Sequence, residues 1–171
     1  MKVLVTGGAG FIGSHVVDRL VEEGHQVVIV DDLSSGTRKN VNRAASLYKL
    51  DIQSGRLERV FRNERPNIVI HLAAQVSVRV SVENPVFDAQ VNVLGTMNVL
   101  HQAVHHGVRK VIFSSSGGAI YGEQEAFPAP ESHVTKPLSP YGISKLCAEH
   151  YLSYFQRISG IQVVSLRYGN V

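Results

Sequence analysis

Tyr141 and Lys145 stand four residues apart in Ser139-Pro-Tyr-Gly-Ile-Ser-Lys145, a spacing that puts two side chains on one face of a helix. A phenol with a free pKa of about 10 is a poor proton acceptor at neutral pH. A neighbouring ammonium favours the phenolate, so the pair reads as a tyrosine base tuned by a lysine. Such a base takes a proton from a substrate hydroxyl. Upstream, Ser114-Ser-Ser-Gly-Gly-Ala-Ile-Tyr-Gly122 offers Ser115 and Ser116, either of which can hold the same hydroxyl.

A second group of residues is built to hold a ligand. Thr6-Gly-Gly-Ala-Gly-Phe-Ile-Gly-Ser-His15 contains Gly8-x-Gly10-x-x-Gly13 and the wider Gly7-x-x-Gly10-x-x-Gly13. Glycines let backbone approach a pyrophosphate closely, and a helix N-terminus offers free N–H groups and partial positive charge. Asp31 follows Gly13 by eighteen residues, where a carboxylate accepts hydrogen bonds from an adenosine ribose and repels a 2′-phosphate. This context marks a dinucleotide site with NAD favoured over NADP, although Arg38 and Lys39 lie a little further on. Asp32 shares the ribose role or is solvated. A bound nicotinamide cation adds to the pull on the Tyr141 proton, and Lys145 has a second task open to it at the nicotinamide ribose.

The elements that must position these residues follow from apolar periodicity. Residues 2–6, 26–30, 46–50, 67–71, 110–114 and 162–168 read as strands. Residues 11–23, 57–62, 85–106 and 141–159 read as helices, with Gly24, Gly107 and Gly160 as stops. Strands alternating with helices after an early glycine turn predict a doubly wound parallel α/β sheet of Rossmann type, strand order 3-2-1-4-5-6, with helices on both faces. In such a sheet the ligand crevice lies beyond the carboxyl ends of the strands. That places Leu72, Ala73, Ala74 and Gln75 beside the middle of a cofactor. Ser34, Ser35 and Gly36 either surround ribose and adenine or form a plain surface loop. Asp51 either binds the adenine amino group, with Ile52 packing on the ring, or caps the following helix. The 85–106 helix is apolar on two adjoining faces, one with Phe87, Val91 and Leu94, which suggests a partner subunit. Asn92, polar within that pattern, binds the cofactor-side loops or hydrogen-bonds within the core.

Composition narrows the class. The chain has 171 residues, 44% hydrophobic and 18% charged, with net charge +3 and no long run of like charges. That fits one globular domain and argues against nucleic-acid or membrane binding. A single cysteine, Cys147, suits a reducing, cytoplasmic setting. His101 and His105 lack a third metal ligand nearby, so no metal is expected. His71 reads as a packed strand end, and Tyr121 as either a site-lining or a loop-core residue.

These motifs occur in one order that resembles the extended short-chain dehydrogenase/reductase family, in its nucleotide-sugar epimerase/dehydratase branch, and within it the UDP-glucose 4-epimerases. Beyond the residues above, the resemblance rests on His71-Leu-Ala-Ala74, Asn92-Val-Leu-Gly95 and Leu166-Arg-Tyr-Gly-Asn170. It implies C4 epimerisation of a UDP-hexose through a transient 4-keto sugar, with NAD reused each cycle. It implies Tyr141, Lys145 and Ser116 or Ser115 as the catalytic residues. Cofactor contacts are implied for Gly7, Gly10, Phe11, Ile12, Gly13, Leu72, Ala73, Asn92, Ser114 and Tyr168, and sugar contacts for Ser116, Gly117, Tyr141 and Asn170. It further implies that residues 1–171 form the NAD-binding domain and that the family's substrate-binding domain is absent from this chain. A homodimer through the 85–106 and 141–159 helices is expected. A UDP-glucuronate or UDP-N-acetylglucosamine 4-epimerase fits the same residues. A 4,6-dehydratase fits less well, because Gly117 and Gly118 stand where its acid and base would be. A non-catalytic NAD-sensing module on the same fold needs no Tyr/Lys pair.

Overall fold

The computed structural model describes residues 1–169. Six parallel strands form one sheet: β1 (Lys2–Thr6), β2 (Gln26–Asp31), β3 (Ser46–Lys49), β4 (Ile68–His71), β5 (Lys110–Ser116) and β6 (Gln162–Tyr168). Their order is β3-β2-β1-β4-β5-β6, as expected from the alternation of elements. The register aligns Thr6 with Val30 on one side and His71 on the other, and Ser116 with Tyr168. The carboxyl ends of β1, β2, β4 and β5 therefore open on one crevice.

Helices cover both faces. On one side α1 (Phe11–Glu22) buries Val17 against Val3, Val5, Val27 and Ile29. On the other, α2 (Leu57–Glu64), α5 (Thr96–His105) and α7 (Pro140–Ser159) pack Phe61, Leu100 and Leu152 against Leu4, Val69, Val111 and Phe113. Each such buried side chain contributes about 1.5–3 kcal/mol relative to exposure. Local signals fix the helix ends. Ser139 accepts a bond from Gly142 N at 3.1 Å, Pro140 supplies the first turn of α7, and Gly160 ends it in the left-handed region.

The stretch expected as one helix over 85–106 is subdivided. It comprises α4 (Pro85–Ala89), a π-helical segment (Gln90–Gly95) and α5, and is preceded by a short α3 (Val78–Glu83) capped by Ser77. The wider turn has local causes. Asn92 is drawn into bonds with the Gln75 backbone, Gly95 lies where a Cβ would sit 2.7 Å from Ile52, and the Thr96 hydroxyl bonds back to the Asn92 carbonyl at 2.7 Å. One expected apolar face, suggested to meet a partner, points outward: Phe87 and Leu94 are exposed, while Asp88, Asn92, Thr96, Val99, Leu100 and Ala103 are buried. A further single turn, α6 (Gly117–Ile120), follows β5.

Candidate active site

Gly7, with φ of +70°, makes the turn out of β1, and an added Cβ there would meet Ala73 N at 2.7 Å. At Gly13 a Cβ would lie 2.0 Å from the Gly7 carbonyl oxygen. The two loops and α1 are thus packed at backbone contact, a cradle only glycine permits. The first turn of α1 begins at Gly10 with no side-chain cap and no acidic residue. Its free N–H groups and dipole favour an anion. Phe11 is exposed beside this turn, edge-on to His15, and Ile12 is half-buried.

Asp31 is buried at the end of β2, where Oδ2 accepts from Ala9 N at 2.9 Å and Oδ1 from Leu33 N at 2.8 Å. A carboxylate has about four lone-pair sites, so two remain open to further donors. The Leu33 bond holds that leucine in the left-handed region, φ 63°, a strain of about 1–2 kcal/mol. Asp32 is exposed and accepts from Ser34 N and Oγ. The 34–37 loop closes on the cradle: a Cβ on Gly36 would sit 2.8 Å from Ala9, and Thr37 N donates to Ala9 O. Ser35 is exposed on that loop.

Asp51 is exposed and accepts from Gln53 N, so it is free to face a ligand. Ile52 does not supply the expected ring platform through its side chain. It is 4% exposed, packed in the core beneath Gly95, and its carbonyl is held by Asn98 Nδ2 at 2.6 Å.

The loop after β4 is held by an amide cluster. Asn92 brackets the Gln75 backbone, accepting from its N–H at 2.9 Å and donating to its carbonyl at 2.8 Å. Asp88 Oδ1 accepts from both the Gln75 and Asn92 side chains, at 2.8 and 3.0 Å. Asn92 therefore takes the loop-binding alternative, with its amide groups already engaged by protein. Leu72, Ala73 and Ala74 are half-buried against this frame. Beneath them Thr6, His71 and Thr96 form a buried chain of 2.6 and 2.9 Å contacts. Thr96 donates to Asn92 O, so it must accept from His71 Nε2–H, leaving Nδ1 to accept from Thr6. Burial pushes the His71 pKa down to about 3, the neutral form this chain needs, and the nearby Lys145 charge acts the same way.

The candidate catalytic groups meet where β5 ends and α7 begins. Lys145 is 3% exposed, donates to the Ser114 carbonyl at 2.9 Å and lies over the rings of Phe113 and Tyr141, 4.8 and 5.8 Å from their centroids. Burial lowers its pKa to about 8, opposed by the Asp88 charge. The Ser116 side chain is close enough to the Tyr141 phenol to draw its pKa downward. The expected acidification of Tyr141 by Lys145 is absent from this protein-only site. Burial raises the phenol above its ordinary value, outweighing the downward pull of Ser116.

Ser115 does not join that group. Its hydroxyl donates to Glu149 Oε1 at 2.5 Å, and Arg167 pairs with the same carboxylate at 2.7 Å and with the Tyr121 hydroxyl at 2.9 Å. Burial opposes the Glu149 charge, but Arg167 and Ser115 outweigh it and hold the carboxyl below its usual range. Because β5 runs on through Ser116, adjacent serines face opposite ways, and Ser115 is a network residue rather than a candidate catalyst. Gly117 abuts the Arg167 and Tyr168 carbonyls, so Tyr168 adjoins the same strand end, whereas Asn170 lies outside the described residues. Sequence reasoning misses Asp88, Thr6, Thr96, Asn98 and Glu149, although Asp88 and Asn92 carry a signal: two polar residues at i, i+4 in an apolar run. Among the described residues no group of three metal-ligating side chains occurs, and no helix is long and apolar enough to cross a membrane.

The family model described as the NAD dependent epimerase/dehydratase family matches residues 3–171. The UDP-glucose 4-epimerase of Mycolicibacterium smegmatis is 43% identical over 176 residues, covering 100% of this chain and 56% of the relative. The UDP-glucose 4-epimerase of Thermotoga maritima, solved with UDP-glucose, superimposes with a TM-score of 0.97 at 50% identity, covering 98% of this chain and 55% of the other. That of Thermus thermophilus, solved with NAD, gives 0.96 at 49% identity, covering 98% and 55%. The chain spans about half the length of these proteins.

Proposed function

Because the chain belongs to the NAD dependent epimerase/dehydratase family, we propose that the full-length protein inverts C4 of a UDP-hexose, interconverting UDP-glucose and UDP-galactose through a 4-keto sugar. The observation that supports this most is the Ser116–Tyr141–Lys145 group at the mouth of a glycine cradle. The cradle, the two free acceptor sites of Asp31 and the unused ammonium protons of Lys145 fit NAD: a backbone nest for pyrophosphate, a carboxylate for one ribose and a cation for the other. Held by these residues, NAD would supply a hydride acceptor and donor for C4 and a positive charge near Tyr141.

The residues of this chain do the rest. Tyr141 takes the proton from the sugar 4-hydroxyl and later gives it back to the same oxygen. Ser116 holds that oxygen at the phenol, so that each transfer begins from a formed hydrogen bond. Lys145, whose ammonium lies 5.8 Å from the Tyr141 ring centroid, orients the ribose beside it. Gly117 and Gly118, with no carboxyl groups, argue against a dehydratase. Tyr168, at the end of β6 beside Ser116, would border the nicotinamide.

Phe87 and Leu94 are exposed, as are Ile143, Tyr154 and Ile158 of α7, which packs against α4 and residues 90–95, and these side chains make an apolar surface. A second copy of the chain covers it, giving a homodimer. Residues 1–171 act as the NAD-binding part of a cytoplasmic protein, with the UDP moiety held by further chain. The test is to denature purified full-length protein, identify the released cofactor, and follow conversion of UDP-galactose to UDP-glucose. NAD release and conversion support the reading; a protein that holds no NAD and converts neither sugar contradicts it.

A further inference from the structure

Asp88 has no exposed surface, yet its Oδ2 meets no donor. Its other oxygen accepts from Gln75 and Asn92, two side chains that also fix the loop after β4. A buried carboxylate with a free oxygen is costly unless a positive charge opposes it. The complementary group is close by. α4, which carries Asp88, packs on α7, which carries Tyr141 and Lys145. Lys145 is buried and forms no ion pair among the described residues; its one protein acceptor is the Ser114 carbonyl. An ammonium without a counter-ion and a carboxylate with one donor-free oxygen thus lie on two helices in contact.

The other ionisable groups near this pair do not compete. His71 is buried and neutral, and Glu149, one turn beyond Lys145, is already paired with Arg167. The Asp88 charge is felt at both members of the candidate catalytic pair. Against the lowering that burial imposes on Lys145 it acts upward, and it adds to the rise that burial imposes on Tyr141.

We propose that Asp88 is a positioning residue for the reaction: its carboxylate, set in place by Gln75 and Asn92, is the counter-charge of the Lys145 ammonium and sets the pH range in which Tyr141 and Lys145 work. This rests on the reading of Tyr141 and Lys145 given above. An aspartate rather than an asparagine is required at position 88 because the contribution is a charge, not a hydrogen bond. Asparagine would keep an acceptor for Gln75 and Asn92.

The test is Asp88→Asn in the full-length protein. Both ionisations lose a negative neighbour, so both move to lower pH, by about one unit for a charge at this range. The first readout is the ultraviolet titration of the Tyr141 phenolate, taken as the difference between each protein and its Tyr141→Phe counterpart. The second is the pH profile of kcat/KM, whose two limbs shift downward together. Asp88→Glu keeps the charge, and its limbs stay in place even where its kcat falls. If Asp88→Asn does not fold, Asp88→Ser is read the same way. An unmoved titration and unmoved limbs, with only the thermal midpoint lowered, overturn the proposal and leave Asp88 a structural clamp. The ultraviolet titration needs no substrate, so a protein without epimerase activity overturns the activity reading and leaves this test standing.

Discussion

The Ser115 hydroxyl donates to Glu149 Oε1 over 2.5 Å, while its neighbour Ser116 lies by the Tyr141 phenol and draws its pKa downward. Two adjacent serines of one strand therefore have different work, and substitution separates them. Ser115→Ala leaves Glu149 with one donor fewer in a buried network, lowering stability by about 1–3 kcal/mol with kcat near that of the parent. Ser116→Ala leaves stability nearly unchanged and lowers kcat on the order of a hundredfold. Urea denaturation and steady-state kinetics on both variants check the assignment.

Gly13→Ala tests the cradle. Its methyl group would lie 2.0 Å from the Gly7 carbonyl oxygen, so the turn must open. The expected result is loss of retained NAD and a stability loss of about 1–3 kcal/mol or more. Gly55, where a Cβ meets nothing within 4 Å, is the control: Gly55→Ala leaves both properties unchanged. Cofactor content after gel filtration and the denaturation midpoint report the outcome.

His71 gives a pH dependence with a definite sign. Its folded-state pKa of about 3 lies below the unfolded value of 6.5. Between these values the unfolded chain binds a proton that the folded chain refuses, so stability is fully present above the unfolded pKa and falls as pH drops toward the folded one. The slope this group can add is at most about 1.4 kcal/mol per pH unit. Stability measured by urea from neutral pH downward should fall along this window, and His71→Gln should flatten the slope while lowering the neutral-pH value.

Much of this is legible in the sequence because local signals agree with one another. Six apolar runs, helical periods between them and a glycine turn ahead of Asp31 determine the strand order without any knowledge of contacts. Three features are not. The apolar run of β5 stops at Ser114, which hides the strand alternation that turns Ser115 toward Glu149. Periodicity over 85–106 reads as one regular helix and does not show the π segment around the Asn92–Gln75 bonds. The acidity of Tyr141 depends on the balance of burial against the downward pull of Ser116, which spacing along a chain does not contain.

Leu94 and Ile143, each more than half exposed, make the proposed dimer testable. Leu94→Arg with Ile143→Arg places charges in the centre of an apolar contact. The full-length variant should sediment as a monomer while the parent sediments as a dimer. Parent protein that is monomeric at micromolar concentration contradicts the proposed interface.

The central claim is that Tyr141 moves the proton of the sugar 4-hydroxyl beside bound NAD. Tyr141→Phe in the full-length protein keeps the ring in its pocket and removes only the oxygen. Turnover of UDP-galactose should fall by about a thousandfold or more while the NAD content stays equal to the parent's. A variant that retains NAD and turns over at the parent's rate contradicts the account.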